Sequence, residues 1–409
     1  MRLSRIKDKL FRLNYLLGAA IIMGQLLAMP GLTSALFYTT FIVTLLLWLF
    51  TAVEGMDRID ALALMIVALA LINVLLNGLL CGSSLSFQYL KKYIIFSCTV
   101  LFFCVAEKMK IDRETKKFLR VIYLFLGVML LLFYLTRNRQ MHLYNDRVTQ
   151  YLTFRFTNPN LTALFLSCMI MFMVKEASCE KRIWGKVLYL AAAGIEVFFL
   201  IQTQSRNAIL AISIFLVLML FLRLRHRAHR KISKWALCFI SVFPLLFALL
   251  YMRFINSPKL ISLFAFFAGE GKNLNSRMKI WRPAFEAFRE SPILGAYYQV
   301  SKGTGTAQLH NTHVDILATY GILVFILICI YLYHLMCRVQ NKNEDQSISL
   351  WAFVCTTLLG VGEAALFSGG LGIYLFAGLF LVGETEETGV YNEDRISEQL
   401  LQPSPTSLI

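Results

Sequence analysis

The feature that most constrains this chain is the recurrence, along nearly its whole length, of apolar runs long enough to cross a bilayer. A helical span needs about 20 mostly apolar residues. Such runs are read at residues 13–29, 34–53, 61–80, 89–105, 118–135, 160–174, 187–201, 208–222, 235–252, 312–335, 350–367 and 370–382, about twelve spans in all. With 58% hydrophobic and 16% charged residues, the composition lies outside the range of a soluble domain. In lipid each span has to satisfy its own backbone groups, so these runs are helices. Their continuous apolarity excludes a barrel, whose strands would alternate. The expected fold is all-α: a polytopic integral membrane domain over residues 1–383. It carries one long extracytoplasmic loop, at about residues 253–311, that contains an amphipathic interfacial helix. Residues 384–409, acidic and then Pro/Ser-containing, are expected to form a disordered cytoplasmic tail.

Orientation follows from Lys and Arg. With Arg2, Arg5, Lys7 and Lys9 in the cytoplasm, the connections at 107–117, 175–186 and 223–231 also face inward. The inner side then carries about 25 Lys and Arg against about 15 outside, and the reverse orientation would invert that bias. Both termini are thus expected in the cytoplasm, with the first span a retained signal anchor lacking a small-residue cleavage site. The formal net charge of +16 is accounted for by topology determinants and anionic-lipid contacts. A nucleic-acid partner is not expected, because no soluble domain remains to bind one. The nine cysteines, mostly within spans, supply neither a disulfide framework nor zinc spacing. No internal repeat is present, which weighs against a transporter built from inverted halves.

Polar exceptions gather on the outer side. In the connection at 136–158, Asn158 before Pro159 reads as a cap with proline at the first helical position. In the long loop, Met278, Trp281, Phe285 and Phe288 recur at helical spacing, with Arg282, Glu286, Arg289 and Glu290 elsewhere around the turn. This pattern fits a helix along the outer leaflet with Trp281 at headgroup depth, and Pro283 able to divide it in two.

Arg206 sits in Gln202-Thr203-Gln204-Ser205-Arg206-Asn207, a very short outer connection. It reads either as a snorkelling cation or as a rigidly held anion-binding group. Arg277, Lys279 and Arg282 singly suit headgroup contact; together with Arg206 they suit a diphosphate, whose departing charge needs stabilisation. His310, at the mouth of the tenth span, suits a general base or an orienting group for a hydroxyl. On a helix, His313 would share its face and Asn311 would face Asp315. Glu196 and Glu363 lie in apolar runs, where a carboxylate is costly unless paired or protonated. Glu196, three turns before Arg206, reads either as bordering one cavity with it or, the favoured reading, as a structural partner between helices like Glu363. The carboxylates Asp146, Glu270, Glu286, Glu290 and Asp315 form no compact ligand set, so a metal-independent site is expected.

Phe156-Thr157-Asn158-Pro159-Asn160, Thr203-Gln204-Ser205-Arg206, Asn275-Ser276-Arg277, Trp281, Pro292, Gly295, and His310-Asn311 leading into Gly321 follow in a recognisable order. On these residues the chain resembles the O-antigen ligase and repeat-unit polymerase superfamily of bacterial envelope polysaccharide synthesis, most clearly over residues 154–333. The resemblance implies an inverting, metal-independent glycosyl transfer from a polyprenyl diphosphate carrier, without nucleotide sugar or other cofactor. The reaction would run on the outer face of the bacterial cytoplasmic (inner) membrane. Carried over residue by residue, it implies a catalytic set in which Arg206 and Arg277 hold the diphosphate and His310 engages the acceptor hydroxyl. Arg282, added from spacing, is expected to bind substrate with Asn311 and Asn160, while His313 has no assignment. The implied partners are a polyprenyl-diphosphate-linked oligosaccharide and membrane lipids, with a chain-length regulator and a flippase as candidates. Polymerase is favoured because nothing points to a lipid A-core acceptor, and ligase is the alternative. A lipid-linked oligosaccharide flippase is the alternative of another class, disfavoured because the polar candidates concentrate on one side.

Overall fold

The computed structural model describes residues 2–80, 87–136, 140–144, 147–156, 159–224, 231–254, 274–296, 309–342, 347–368 and 372–384. Its helices are α1 (Arg2–Leu26), α2 (Pro30–Val53), α3 (Arg58–Leu80), α4 (Phe87–Lys108) and α5 (Arg113–Thr136). They continue with α6 (Pro159–Cys179), α7 (Ile183–Gln202), α8 (Arg206–Leu224), α9 (Lys234–Phe254) and α10 (Leu274–Glu290). Last come α11 (Thr312–Lys342), α12 (Ser347–Leu359), α13 (Ala365–Ser368) and α14 (Ile373–Gly378), with a 3-10 turn at Leu379–Leu381. Among the described residues seven helices, α2, α3, α5, α6, α7, α9 and α11, are long and apolar enough to cross a membrane; α8 and α12 are shorter apolar helices. The chain is a helical, multi-pass membrane protein. Helix α6 lies at its centre, buried continuously from Leu161 to Met173. By contrast α5, α7 and α9 turn Val128, Leu188 and Leu250 outward, as lipid-facing helices do.

Among the described residues, the last two of the expected spans are not continuous helices. The run at 350–367 stops being helical at Leu359, and the run at 370–382 contains only α14 and the 3-10 turn. The cause is local. A Cβ on Gly360 would crowd Thr312 Oγ1, and one on Gly362 would crowd Asn207 Nδ2. The chain leaves the helix to meet the first turns of α11 and α8, and the Thr312 N–H donates to the Gly360 carbonyl (2.8 Å). Such irregular backbone is tolerated at membrane depth when enclosed by protein, and Val361, Glu363 and Ala364 are all buried.

Two small strand pairs depart from an all-helical chain. In the connection between α5 and α6, β2 (Gln140–Tyr144) and β3 (Arg147–Tyr151) form an antiparallel hairpin. A parallel bridge joins β1 (Lys110–Ile111) to β4 (Gly383–Glu384), so Glu384 is paired to Ile111 and does not begin a free tail. The rest of the expected tail, and Asn158, lie outside the described residues, while Pro159 does open α6.

At the end of α11 remote from His310, the carboxylates of Asp57, Asp60 and Glu107 are held by Lys108, Arg338 and Lys342. Asp60 and Glu107 are buried, and pairing is what makes buried carboxylates bearable.

Helix α10 is one continuous piece with Pro283 inside it. The carbonyl that proline leaves without an N–H belongs to Lys279, an exposed residue. Trp281 faces protein, not lipid headgroups. It is 2% exposed, its Nε1–H donates to the Leu309 carbonyl (2.7 Å), and its ring meets Tyr251 edge-on at 5.5 Å. Ala284 and Ala287 lie in the same buried cluster with Ala248 and Ala318, which lets α10 pack closely on α9 and α11.

After α10 the chain runs beside a break in α11. Gly321 there has φ +81° and ψ 178°, and a Cβ on it would overlap the Ile293 carbonyl. The Ala296 N–H donates to Ala318 O (2.7 Å) and the Ile322 N–H to Pro292 O (2.9 Å). From α3, Asn73 donates to the Tyr320 carbonyl and Asn77 to that of Leu294. The carbonyls and N–H groups freed by the break are thus paired inside the protein.

Candidate active site

Arg206 is the first residue of α8. The turn before it is rigid: Gln204 has φ +55°, and Thr203 Oγ1 donates to Leu200 O (2.7 Å) and accepts from the Ser205 N–H (3.2 Å). A cation at a helix N-terminus stands where the helix dipole favours an anion, so the position is suited to a shared negative ligand. The Arg206 side chain is exposed. Its neighbour Asn207 donates to the Leu359 carbonyl (3.0 Å), pinning the start of α8 to the turn that follows α12.

His310 lies just outside α11, with φ +51°. A non-glycine residue in this left-handed region is strained and is held there by its surroundings. The surroundings are Asn311 and Thr312. Asn311 Oδ1 accepts the N–H groups of His313 and Val314 (3.0 Å each), capping the helix. Its Nδ2 donates to the carbonyls of Pro244 (2.9 Å) and Val361 (3.1 Å). Thr312 Oγ1 donates to the Glu363 carbonyl (2.8 Å).

The first turn of α11 and the connection after α12 are therefore joined, and Glu363 follows from that junction. His310 Nδ1 stands 3.3 and 3.4 Å from its two carboxylate oxygens. Arg277 Nη2 stands 3.8 Å from the oxygen nearer His310. The Asn160 side chain, from the first turn of α6, also bonds to this carboxylate.

Arg277 precedes Trp281 by four residues and so shares the buried face of α10. Burial lowers its pKa from the ordinary guanidinium value, opposed by Glu363 and Tyr251. Its Nη1 is buried without a hydrogen-bond partner, so the guanidinium has donor capacity to spare. An Nδ1–H directed at a carboxylate leaves the His310 Nε2 lone pair for a ligand. Among the described residues Nε2 has no partner. The cluster can thus accept a proton at Nε2 and offer hydrogen bonds to an anion at Arg277.

Of the residues singled out in the sequence, His310, Arg277 and Asn160 converge on Glu363, and Arg206 lies next to Asn207 at the edge of the same junction. Arg282 is not part of the convergence. It is exposed and, five residues on from Arg277, points about 140° away around the helix. Asn311 is fully buried, with both amide atoms engaged by the protein, which leaves nothing to meet a substrate. His313 does not share a face with His310, because the helix begins only at Thr312. It points into the core, its Nε2 within 2.6 Å of Ser241 O in α9, three residues before Pro244. Asp315 faces Lys92 of α4 (2.7 Å), not the Asn311 side chain. Glu196 is buried towards Gly127 of α5, with one oxygen unpartnered.

Glu363 as the hub is what the sequence reading missed. The signal was present, a carboxylate in an apolar run just after two glycines, but nothing in the chain order says which groups it meets.

Fold and site together define a multi-pass membrane protein with a guanidinium–carboxylate–imidazole cluster where several helices begin. Residues 187–329 match the family described as O-antigen ligase, whose members are membrane enzymes of ligase or polymerase type. The match runs from α7 into α11 and supports the O-antigen ligase and polymerase superfamily. Arg206, Arg277, Arg282, His310 and Asn311 fall inside the match; Asn160 and Glu363 fall outside it. No curated protein gives a significant match.

Proposed function

We propose that the protein is a polysaccharide repeat-unit polymerase of the bacterial cytoplasmic membrane. It transfers glycan from a polyprenyl diphosphate carrier to a sugar hydroxyl on the outer face, with both termini inside. The observation that carries this reading is the pairing of a base and an anion site on one carboxylate: Glu363 faces His310 Nδ1 on one side and Arg277, with its unpartnered Nη1, on the other. The acceptor hydroxyl gives its proton to His310 Nε2 as its oxygen attacks the anomeric carbon. The bond from that carbon to the phosphate oxygen breaks, and the electron pair leaves with the diphosphate. Arg277 and Arg206 balance the charge that develops there. One displacement inverts the anomeric centre, and no metal is needed.

Asn160 steadies Glu363, Asn311 holds the backbone of His310, and Arg282 serves lipid headgroups at the rim. A chain-length regulator and a flippase are candidate partners. Ligase activity is the second reading, favoured if the acceptor is a different molecule.

The test is purified protein with a polyprenyl-diphosphate oligosaccharide and a chelator, scored for longer products. A ladder supports polymerase, and transfer only to an added foreign acceptor supports ligase. An inert wild-type protein overturns both. His310→Ala, Arg277→Ala and Arg206→Ala are expected to abolish the ladder while still reaching the membrane, and normal ladders from all three would sink the site.

A further inference from the structure

Resting on that reading, we propose that Glu363 is a positioning residue that couples donor binding to the base. Its charge is shared between Arg277 and His310 before the donor binds and faces His310 as the one remaining cation once the diphosphate draws Arg277 away.

The geometry is that of a contested carboxylate. One oxygen of Glu363 serves both cations, 3.3 Å from His310 Nδ1 and 3.8 Å from Arg277 Nη2. The second oxygen is 3.4 Å from Nδ1. The Arg277 contact is an ion pair without a hydrogen bond, the weaker form of the interaction. Nη1 of the same guanidinium is buried and unpartnered. Arg277 is therefore the cation with most to gain from a ligand rich in oxygen acceptors.

Glu363 cannot follow it. Its backbone is fastened to Thr312 through the 2.8 Å bond at its own carbonyl, and the residue is 6% exposed. Asn160 of α6 holds the carboxylate from a third side. Among the described residues, Arg277 of α10 and His310 before α11 are the charged or titratable groups within ion-pair distance of it.

While Arg277 is close, it offsets part of the negative charge that faces His310. When phosphate oxygens engage the guanidinium, that offset is lost and the full carboxylate charge stabilises the imidazolium formed as the acceptor proton arrives. Acceptor activation thus waits for the donor. The coupling is a linkage between two ligands, the anion and the proton, through one side chain.

The experiment uses the full chain in detergent micelles with 15N-labelled imidazoles. The His310 signal is assigned by its loss in His310→Gln. Farnesyl diphosphate serves as probe, and its binding is measured separately. In the wild type the probe is expected to raise the pH at which His310 titrates by about one unit, a tenfold gain in proton affinity. In Glu363→Gln the probe should still bind, but the rise should fall below half of that. Arg277→Ala should resemble the occupied state from the start, its His310 titrating at the raised pH without probe.

An equal rise in Glu363→Gln would overturn the proposal, because the anion would then act on His310 directly. So would an unchanged His310 titration in Arg277→Ala, a variant that keeps the test alive if Glu363→Gln does not accumulate. Absence of saturable probe binding by the wild type would instead overturn the diphosphate reading itself.

Discussion

Replacing Asn311 by alanine separates two roles that the sequence alone leaves merged, ligand contact and scaffold. Asn311 is fully buried, caps α11 through two accepted bonds, and donates to the carbonyls of Pro244 and Val361. Loss of a side-chain cap costs about 1 kcal/mol. Two buried carbonyls deprived of a donor add about 1–2 kcal/mol each, towards the low end of the usual range because a carbonyl has a second lone pair. The expected destabilisation is therefore roughly 3–5 kcal/mol. It is read as thermal unfolding of the detergent-solubilised protein beside donor kinetics measured at a temperature where both proteins are folded. A scaffold role predicts a large loss of stability and a fall in kcat, because His310 loses its anchor, with KM for the donor little changed. A variant as stable as the wild type, with KM raised tenfold or more, would refute the assignment and return Asn311 to the substrate.

Three further outcomes are expected. Gly321→Ala forces an alanine to φ +81° and its methyl onto the Ile293 carbonyl; it should cost at least about 2 kcal/mol, and unchanged unfolding would rule out the break in α11. Trp281→Phe keeps an aromatic ring but removes the pyrrole half of the indole with its donor to Leu309 O; it should lose at least about 1–2 kcal/mol and slow turnover through His310, the residue after Leu309, which the same two assays read. Glu363→Gln keeps the side-chain volume but removes the charge that His310 and Arg277 share; turnover should fall by about tenfold, the equivalent of one unit of His310 proton affinity, and an unchanged rate of product formation would deny it the role.

Much of the fold was legible because bilayer-length apolar runs admit one secondary structure. Pro159 opening α6 and the tight turn before Arg206 were readable from local rules of the same kind. The misreadings share a cause: hydropathy and periodicity describe a segment but not what covers it. Trp281 on an amphipathic stripe looks the same whether the stripe meets headgroups or, as here, Tyr251 and Leu309. A window average over 350–367 carries straight across Gly360, Gly362 and Glu363, where the chain in fact bends to meet Thr312 and Asn207. His310 and Arg277 could be picked out by residue type and order. That both converge on Glu363, with Asn160 reaching it from α6, depends on contacts between residues 53 or more apart along the chain.

The segment between α10 and α11 is tied down at both of its ends: Ala296 by its bond to Ala318, and Leu309 by the indole of Trp281. Arg277 and His310 lie beyond those ties, on the rigid side of each. Both reacting groups are thus positioned by contacts made on either side of residues 297–308. A substitution or insertion between the two ties is therefore expected to leave the positions of Arg277 and His310 unchanged.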